Sequence, residues 1–168
     1  GEQGEMSRVT AIIREEIDRL NRLVDDFLMF SRTNRIHFQP ASLDAVVDDV
    51  MHLLRPEARS QGVTLRRQQL GDPLPALRMD VEKMKQVVIN LVSNAVKFCD
   101  PAVGLVTVRA WQEGAALRID VIDNGIGIAR EDQDKIFERF QQAGNTLTDK
   151  PQGTGLGLPI CRHILEQF

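Results

Sequence analysis

Asp80-Val-Glu-Lys-Met-Lys-Gln-Val-Val-Ile-Asn-Leu-Val-Ser-Asn-Ala-Val-Lys-Phe98 is the stretch whose reading decides the fold. Asp80 is a good N-cap, and neither Gly nor Pro interrupts the residues after it. Val81, Met84, Val87, Val88, Leu91, Val92 and Ala95 occupy most of the circumference of the helix predicted here. Gln86, Asn90, Asn94 and Lys97, spaced by four, four and three, are left as one narrow polar stripe. Asparagine is a poor helix-interior residue because its amide competes with the backbone. Two of them in line with a lysine therefore need a reason. A solvated outer face is the plain alternative, although such faces usually carry Glu and Lys.

Downstream, Leu105 to Trp111 and Ala116 to Ile122 alternate apolar and polar residues around a turn at Glu113-Gly114, the signature of a β-hairpin. Asp123 closes the second strand and by period two shares a face with Leu117, Ile119 and Val121, so its carboxylate is expected on the core side. A buried carboxylate needs a donor partner. Asn124, Gly125 and Gly127 permit the close backbone approach of a ligand cradle, and a plain Asp-Asn-Gly turn explains them equally well. Residues 125 to 155 then form a loop, with a short helical stretch around Gln133 to Phe140, of a length usually found in lids.

A last helix is expected from about Leu156, and Gly153-Thr-Gly-Leu-Gly-Leu158 stands at its start, where bare amides and the helix dipole favour phosphate. The repeat is not a Walker A loop, lacking Gly-Lys-Ser/Thr, and its spacing is not the dinucleotide fingerprint. His-Arg-Asp and Asp-Phe-Gly, the marks of eukaryotic-type protein kinases, do not occur.

Upstream, Ser42 caps a helix that stops at Gly62, with Leu43, Val46, Val47, Val50 and Leu54 facing inward and a kink expected at Pro56. A strand over 63–70, a turn over Gly71 to Pro75 and a short strand lead to Asp80. Thr33 to Ala41, with Pro40, reads as a linker. Before it, Met6, Thr10, Ile13, Ile17, Leu20, Val24 and Phe27 recur in alternating steps of four and three, a heptad seam in which Thr10 fills the polar slot. Ile12, Leu23 and Leu28 widen the stripe, which suits a four-helix bundle. The expected organisation is a bundle helix over 1–33, a linker over 34–41 and one α+β domain, a two-layer sandwich, over 42–168.

The composition agrees. In 168 residues, 42% hydrophobic content supports one ordinary core plus an arm. A net charge of −3 with interspersed signs supplies no basic patch for nucleic acid. Cys99 and Cys161 lack CxxC spacing, so they read as reduced thiols of a cytoplasmic fold rather than zinc ligands or a disulfide. No apolar run approaches a membrane span and no signal pattern stands at the N-terminus, so a soluble piece is expected.

Four segments in this order resemble the histidine kinase branch of the GHKL ATP-binding superfamily. Asn90-Leu-Val-Ser-Asn94-Ala-Val-Lys97-Phe98 is similar to its N box, Asp123-Asn-Gly-Ile-Gly127 to its G1 box, Asp134-Lys-Ile-Phe-Glu-Arg-Phe140 to its F box and Gly153-Thr-Gly-Leu-Gly-Leu158 to its G2 box. Leu20-Asn-Arg-Leu-Val-Asp-Asp-Phe-Leu28 resembles the second helix of the family's dimerisation and phosphotransfer bundle.

The resemblance implies a kinase core that transfers the γ-phosphoryl of Mg-ATP to a histidine, for relay to a response regulator, in a homodimer joined through helix 6–32. Asp123 would accept the adenine amino group, with Gly125 and Gly127 shaping the turn and Phe98 packing on the base. Asn94 would ligate Mg²⁺ and Lys97 would neutralise phosphate charge. Gly153, Thr154, Gly155, Leu156 and Gly157 would form the phosphate-binding turn, and residues 128–152 a mobile lid anchored by Phe137 and Phe140. Asn90 stands where hydrolytic members resemble one another in having a Glu base, which favours transfer over hydrolysis.

Three departures accompany the resemblance. The family's phosphoacceptor lies in a His-Glu/Asp-x-x-x-Pro segment, and no histidine precedes Phe30; His52-Leu-Leu-Arg55-Pro56 lacks the acid and the Pro spacing. The sequence ends at Phe168, where the family adds a Gly-rich turn and two strands, so a C-terminal truncation is expected. Gln141 and Gln142 stand where many members carry a basic residue. A non-catalytic ATP-binding and dimerisation module is therefore the alternative, and an ATPase of the chaperone or topoisomerase type is disfavoured by Asn90.

Overall fold

The computed structural model describes residues 6–10, 13–14, 16–17, 20–21, 24, 36–141 and 154–168. The domain from residue 36 onward runs β1 (Gln39–Ala41), α1 (Leu43–Ser60), β2 (Thr64–Gln69), β3 (Leu77–Met79), α2 (Val81–Phe98), β4 (Leu105–Glu113), β5 (Ala116–Asp123) and α3 (Gly157–Leu165). A mixed sheet of order β2-β4-β5 carries the helices on one face, with β2 parallel and β5 antiparallel to β4. The α+β two-layer sandwich is thus the observed architecture.

The parallel β2–β4 pair needs a long crossover, and β3 and α2 supply it. Along β4 the alternation is one-sided: Val106, Val108 and Ala110 are buried, whereas Thr107, Arg109 and Trp111 on the other face are only half-buried. Val106 and Val108 meet Val47, Val50 and Met51 of α1 and Val88, Val92 and Val96 of α2 in the main core, and Ala110 belongs to a second one. That second cluster joins Met84 and Val87 of α2 to Leu156, Ile160, Cys161 and Ile164 at α3. α2 is packed on both clusters, which explains why its apolar residues surround it and leave only the stripe.

α1 begins where expected, with Ser42 Oγ accepting from the Ala45 amide at 3.3 Å. Its end is a Schellman motif: the Val63 amide donates to Ala58 O at 2.8 Å and the Gly62 amide to Arg59 O at 3.1 Å. The linker stretch is not wholly irregular, because Gln39–Ala41 pairs antiparallel with Leu77–Met79. Pro40 is tolerated there as in other edge strands.

The described residues between 6 and 24 are helical. Met6, Ile13, Ile17, Leu20 and Val24 of the seam are each more than half exposed, while Thr10 Oγ1 donates back to Met6 O at 2.7 Å. Ile12, Leu23, Phe27 and Leu28 of that reading lie outside the described residues.

Asp80 caps α2 with Oδ1, which accepts from the Lys83 amide at 3.1 Å, and with Oδ2 it accepts from the His37 amide at 2.9 Å. Burial alone raises the carboxyl pKa, but the His37 and Lys83 amides and the Lys83 charge outweigh it, and the net shift is downward. A depressed native pKa means that the stabilisation is present above the ordinary carboxylate value and is lost as pH falls through the native one. Asp80→Ala is expected to cost about 1–3 kcal/mol at neutral pH, from the lost cap and the orphaned His37 amide. The gap between variant and parent in urea melts should close as the pH is taken toward 3; a constant gap would show that the carboxylate charge is irrelevant.

Candidate functional site

The site is assembled along α2. At the middle of the helix Asn90 and Asn94 are half-buried beneath the start of α3, and Asn90 Nδ2 donates to Gly157 O at 3.4 Å. A Cβ added at Gly157 would stand 3.8 Å from Asn90 Cγ and 3.9 Å from Asn94 Nδ2, so the two asparagines face the glycine turn directly. The stripe is therefore the seat of a second element and not a solvated outer face.

That element starts with no side-chain cap, since its N-cap residue is Leu156, buried at 4% exposure. Just before it, Thr154 Oγ1 accepts from the Leu156 amide at 3.3 Å. Gly155 has φ +69°, and a Cβ there would lie 2.9 Å from Gln141 O and 2.9 Å from Phe140 C. Both constraints require glycine. An uncapped, glycine-led helix start presents backbone N–H groups at the positive end of the helix dipole.

Cys161, one turn into α3, packs this element down: its Sγ donates to Val87 O at 3.7 Å. Burial pushes the thiol pKa up to about 11, partly offset by an Asn90 side-chain hydrogen bond, so it stays a neutral packing group.

At the C-terminal end of α2 the loop after β5 closes onto the helix. The Ile126 amide donates to Phe98 O at 3.2 Å, and a Cβ on Gly125 would stand 2.4 Å from that oxygen. Asp123 is exposed, which corrects the expectation of a buried carboxylate: it is the final residue of β5, where the chain turns away from the covered part of the sheet. Its donor partner is local, the Gly125 amide at 2.9 Å from Oδ1. Gly127 adopts φ +72° in open space. Phe98 is 38% exposed, with Lys97 Nζ 5.1 Å from its ring centroid, and Lys97 also lines an open hollow with Gly62, Val96 and Pro101.

The structure thus brings Asn90, Asn94 and Gly157 together, and seats Gly125, whose amide holds Asp123, against the Phe98 carbonyl, with α2 common to both groups. Gly153 and lid residues 142–152 lie outside the described residues. Of the expected helical stretch, only Lys135–Phe137 forms a single 3-10 turn. Phe137 and Phe140 are 41% and 66% exposed, so neither ring is buried in the core. The 3-10 turn lies against α3, and the Phe140 amide donates to Gly155 O at 3.1 Å.

Asn124 is more than a permissive neighbour of Asp123. Asn124 Oδ1 accepts from the Leu105 amide at 2.8 Å and from Cys99 Sγ at 3.6 Å, and its Nδ2 donates to Val103 O at 2.8 Å. These partners are 19 to 25 residues away in sequence, so no local spacing announces them.

Comparison with known proteins gives a consistent assignment. Residues 79–168 match the family described as histidine kinase-, DNA gyrase B-, and HSP90-like ATPase. The chain is 32% identical over 164 residues to the sensor histidine kinase ZraS of Escherichia coli K12, covering 98% of this chain and 34% of that protein. It is 33% identical to the circadian input-output histidine kinase CikA of Synechococcus elongatus, covering 92% of this chain and 21% of that protein. The chain therefore spans about a third or less of these relatives. Among solved structures, full-length ShkA in complex with AMPPNP superposes with a TM-score of 0.77 at 30% identity, over 95% of this chain and 33% of that one. The nucleotide-free catalytic domain of the histidine kinase ThkA gives 0.67 at 30% identity, over 78% of this chain and 81% of that one. ThkA in complex with the response regulator TrrA gives 0.78 at 26% identity, over 96% and 44%.

Proposed function

We infer that this chain, which belongs to the histidine kinase-, DNA gyrase B- and HSP90-like ATPase family and within it to the sensor histidine kinases, binds Mg-ATP and passes the γ-phosphoryl group to a histidine on another segment. The observation that carries this reading is the pair Asn90 and Asn94 set under an uncapped, glycine-led helix start. Polyphosphate suits that end of a helix, because amides and dipole both face it.

In this reading Asp123 takes the adenine amino group through the oxygen not held by Gly125, Phe98 packs beside the base, and Gly125 and Gly127 shape the turn. The backbone at Gly153, Thr154, Gly155, Leu156 and Gly157 holds the phosphates, and Lys97 balances their charge. Among the described residues there is no cluster of three His, Cys, Asp or Glu side chains to hold a resident metal. One amide, Asn94, fits magnesium that arrives with the nucleotide and takes its other ligands from phosphate and water. When bound, that ion neutralises charge on the transferring phosphoryl group.

The transfer breaks the bond from the γ-phosphorus to the bridging oxygen, which leaves on ADP with the electron pair, and forms a bond to an imidazole nitrogen. Little covalent chemistry is asked of the protein; positioning and charge are what it contributes. Asn90 supports transfer over hydrolysis, since an amide that donates to Gly157 O has no basic site to activate water. The acceptor helix, the response regulator and homodimerisation through helix 6–32 complete the proposal, and the exposed seam from Met6 to Val24 supports the last of these. Among the described residues no helix is long and apolar enough to cross a membrane; a cytoplasmic catalytic piece is proposed.

The test is Mg²⁺-dependent ATP binding by calorimetry, followed by incubation with γ-labelled ATP and a separately supplied histidine-bearing helical bundle. Acid-labile label on the bundle is expected. Steady ADP release without a phosphoprotein would replace transfer by hydrolysis, and binding with neither would leave a non-catalytic ATP-binding and dimerisation module.

A further inference from the structure

Asn124 ties the loop after β5 to the C-terminal end of α2. Its carboxamide reaches back across the end of the sheet to the turn that joins α2 to β4. Oδ1 receives the Leu105 amide at 2.8 Å and Cys99 Sγ at 3.6 Å, and Nδ2 donates to Val103 O at 2.8 Å. Cys99 immediately follows the last residue of α2, and it is buried. Leu105 opens β4, and Gly104 between them is so enclosed that a Cβ would stand 2.8 Å from Val63 Cγ2 and 2.9 Å from Asp100 O.

The turn held by Asn124 is thus itself fixed. The Ala102 amide donates to Asp100 Oδ1 at 2.8 Å and the Thr64 amide to Gly104 O at 2.8 Å. Both donor and acceptor of one side chain are used, on partners in the turn that follows α2 directly. Asp123 precedes this latch by one residue and Gly125 follows it, the latter in contact with Phe98 O.

We propose that Asn124 is a positioning residue that fixes Asp123 relative to the C-terminal end of α2, and so sets the preference for a 6-amino purine. The proposal rests on Asp123 as the base-recognising group. Asn124 itself has no contact with the nucleotide in this scheme; its amide acts by restraining the backbone on which the Asp123 carboxylate is carried. Hydrogen-bond recognition of an amino group is steeply sensitive to such placement, because the bond weakens with small errors of distance and angle.

The experiment compares ADP with IDP, whose base carries an oxygen in place of the 6-amino group, by Mg²⁺ calorimetry on the parent, Asn124→Ala, Asn124→Asp, Asp123→Ala and the double variant Asp123→Ala/Asn124→Ala. The parent should prefer ADP. Asn124→Ala should weaken ADP by about tenfold and leave IDP nearly unchanged, as expected for loss of one well-placed polar contact. In the double variant it should add nothing to Asp123→Ala. Asn124→Asp keeps the acceptor for Leu105 but sets a carboxylate oxygen against Val103 O, which breaks the latch on that side, so a loss of ADP preference over IDP is expected there too, the added charge acting on both nucleotides alike; it supplies the reading where the alanine variant does not fold. Amide exchange at Leu105 should rise in Asn124→Ala. Equal weakening of both nucleotides, or unchanged preference with faster Leu105 exchange, would overturn the positioning role. A parent that binds ADP and IDP alike would instead overturn the assignment of Asp123.

Discussion

Asp123→Ala is expected to raise the Kd for ADP by about 30- to 150-fold, the equivalent of about 2–3 kcal/mol for a hydrogen bond to a charged acceptor, while the urea melting curve stays close to that of the parent. The two halves of this expectation come from different observations. The carboxylate is exposed at the end of β5, and its one described hydrogen bond is to the Gly125 amide two residues on, so the packed core loses nothing when it is removed. The affinity loss follows from the proposed base contact, in which the second oxygen receives the amino proton. Asp123→Asn sharpens the measurement. An amide has one oxygen for two donors: if it keeps the Gly125 amide, its NH2 faces the amino group of the base, and if it turns to the base, the NH2 faces Gly125. A Kd close to that of Asp123→Ala is therefore expected, although the two side chains are nearly the same size. A variant that binds ADP like the parent would remove Asp123 from the base site, and a variant that melts much earlier would make it a structural turn residue instead.

The sequence already displays α2, the hairpin and the Asn90–Asn94 stripe, because each depends on periodicity within one element. What periodicity does not carry is the covering of each element's end. Counting by twos places Asp123 with Ile119 and Val121, yet the face it shares with them is no longer covered at the last strand position. Phe137 and Phe140 have the composition of anchors, but a single 3-10 turn offers no continuous face to bury, and Phe140 adopts φ 63° instead of joining a helix. The hydrogen bonds that lock the site are long-range: Asp80 to His37 spans 43 residues and Asn124 to Val103 spans 21. A side chain whose partner is that distant in sequence looks like an ordinary cap or turn residue until the chain is folded.

Gly125→Ala is expected to destabilise the domain by about 2–3 kcal/mol, the range of an overpacking change in a rigid environment, and to weaken ADP binding as well. The added methyl would stand 2.4 Å from Phe98 O, 2.9 Å from Phe98 C and 2.9 Å from Asp123 Oδ1. Two of these three neighbours are backbone atoms at the end of α2, whose carbonyl also receives the Ile126 amide at 3.2 Å. Relief therefore requires the loop to lift off the helix, and with it the carboxylate that the Gly125 amide holds. Gly127 provides the matching control in the same turn. There the backbone has φ +72° and nothing lies within 4 Å of an added Cβ, so Gly127→Ala meets only the left-handed conformational penalty of about 1–2 kcal/mol. Crowding and backbone conformation are thus separated between two glycines two residues apart. Urea melts of both variants, with ADP calorimetry under native conditions, decide the matter. A larger loss of stability at Gly125 together with weakened ADP binding would place the close approach of loop and helix among the determinants of the site. Equal losses, with ADP affinity retained in both, would mean that the loop rises freely and that the seat on Phe98 does not hold Asp123.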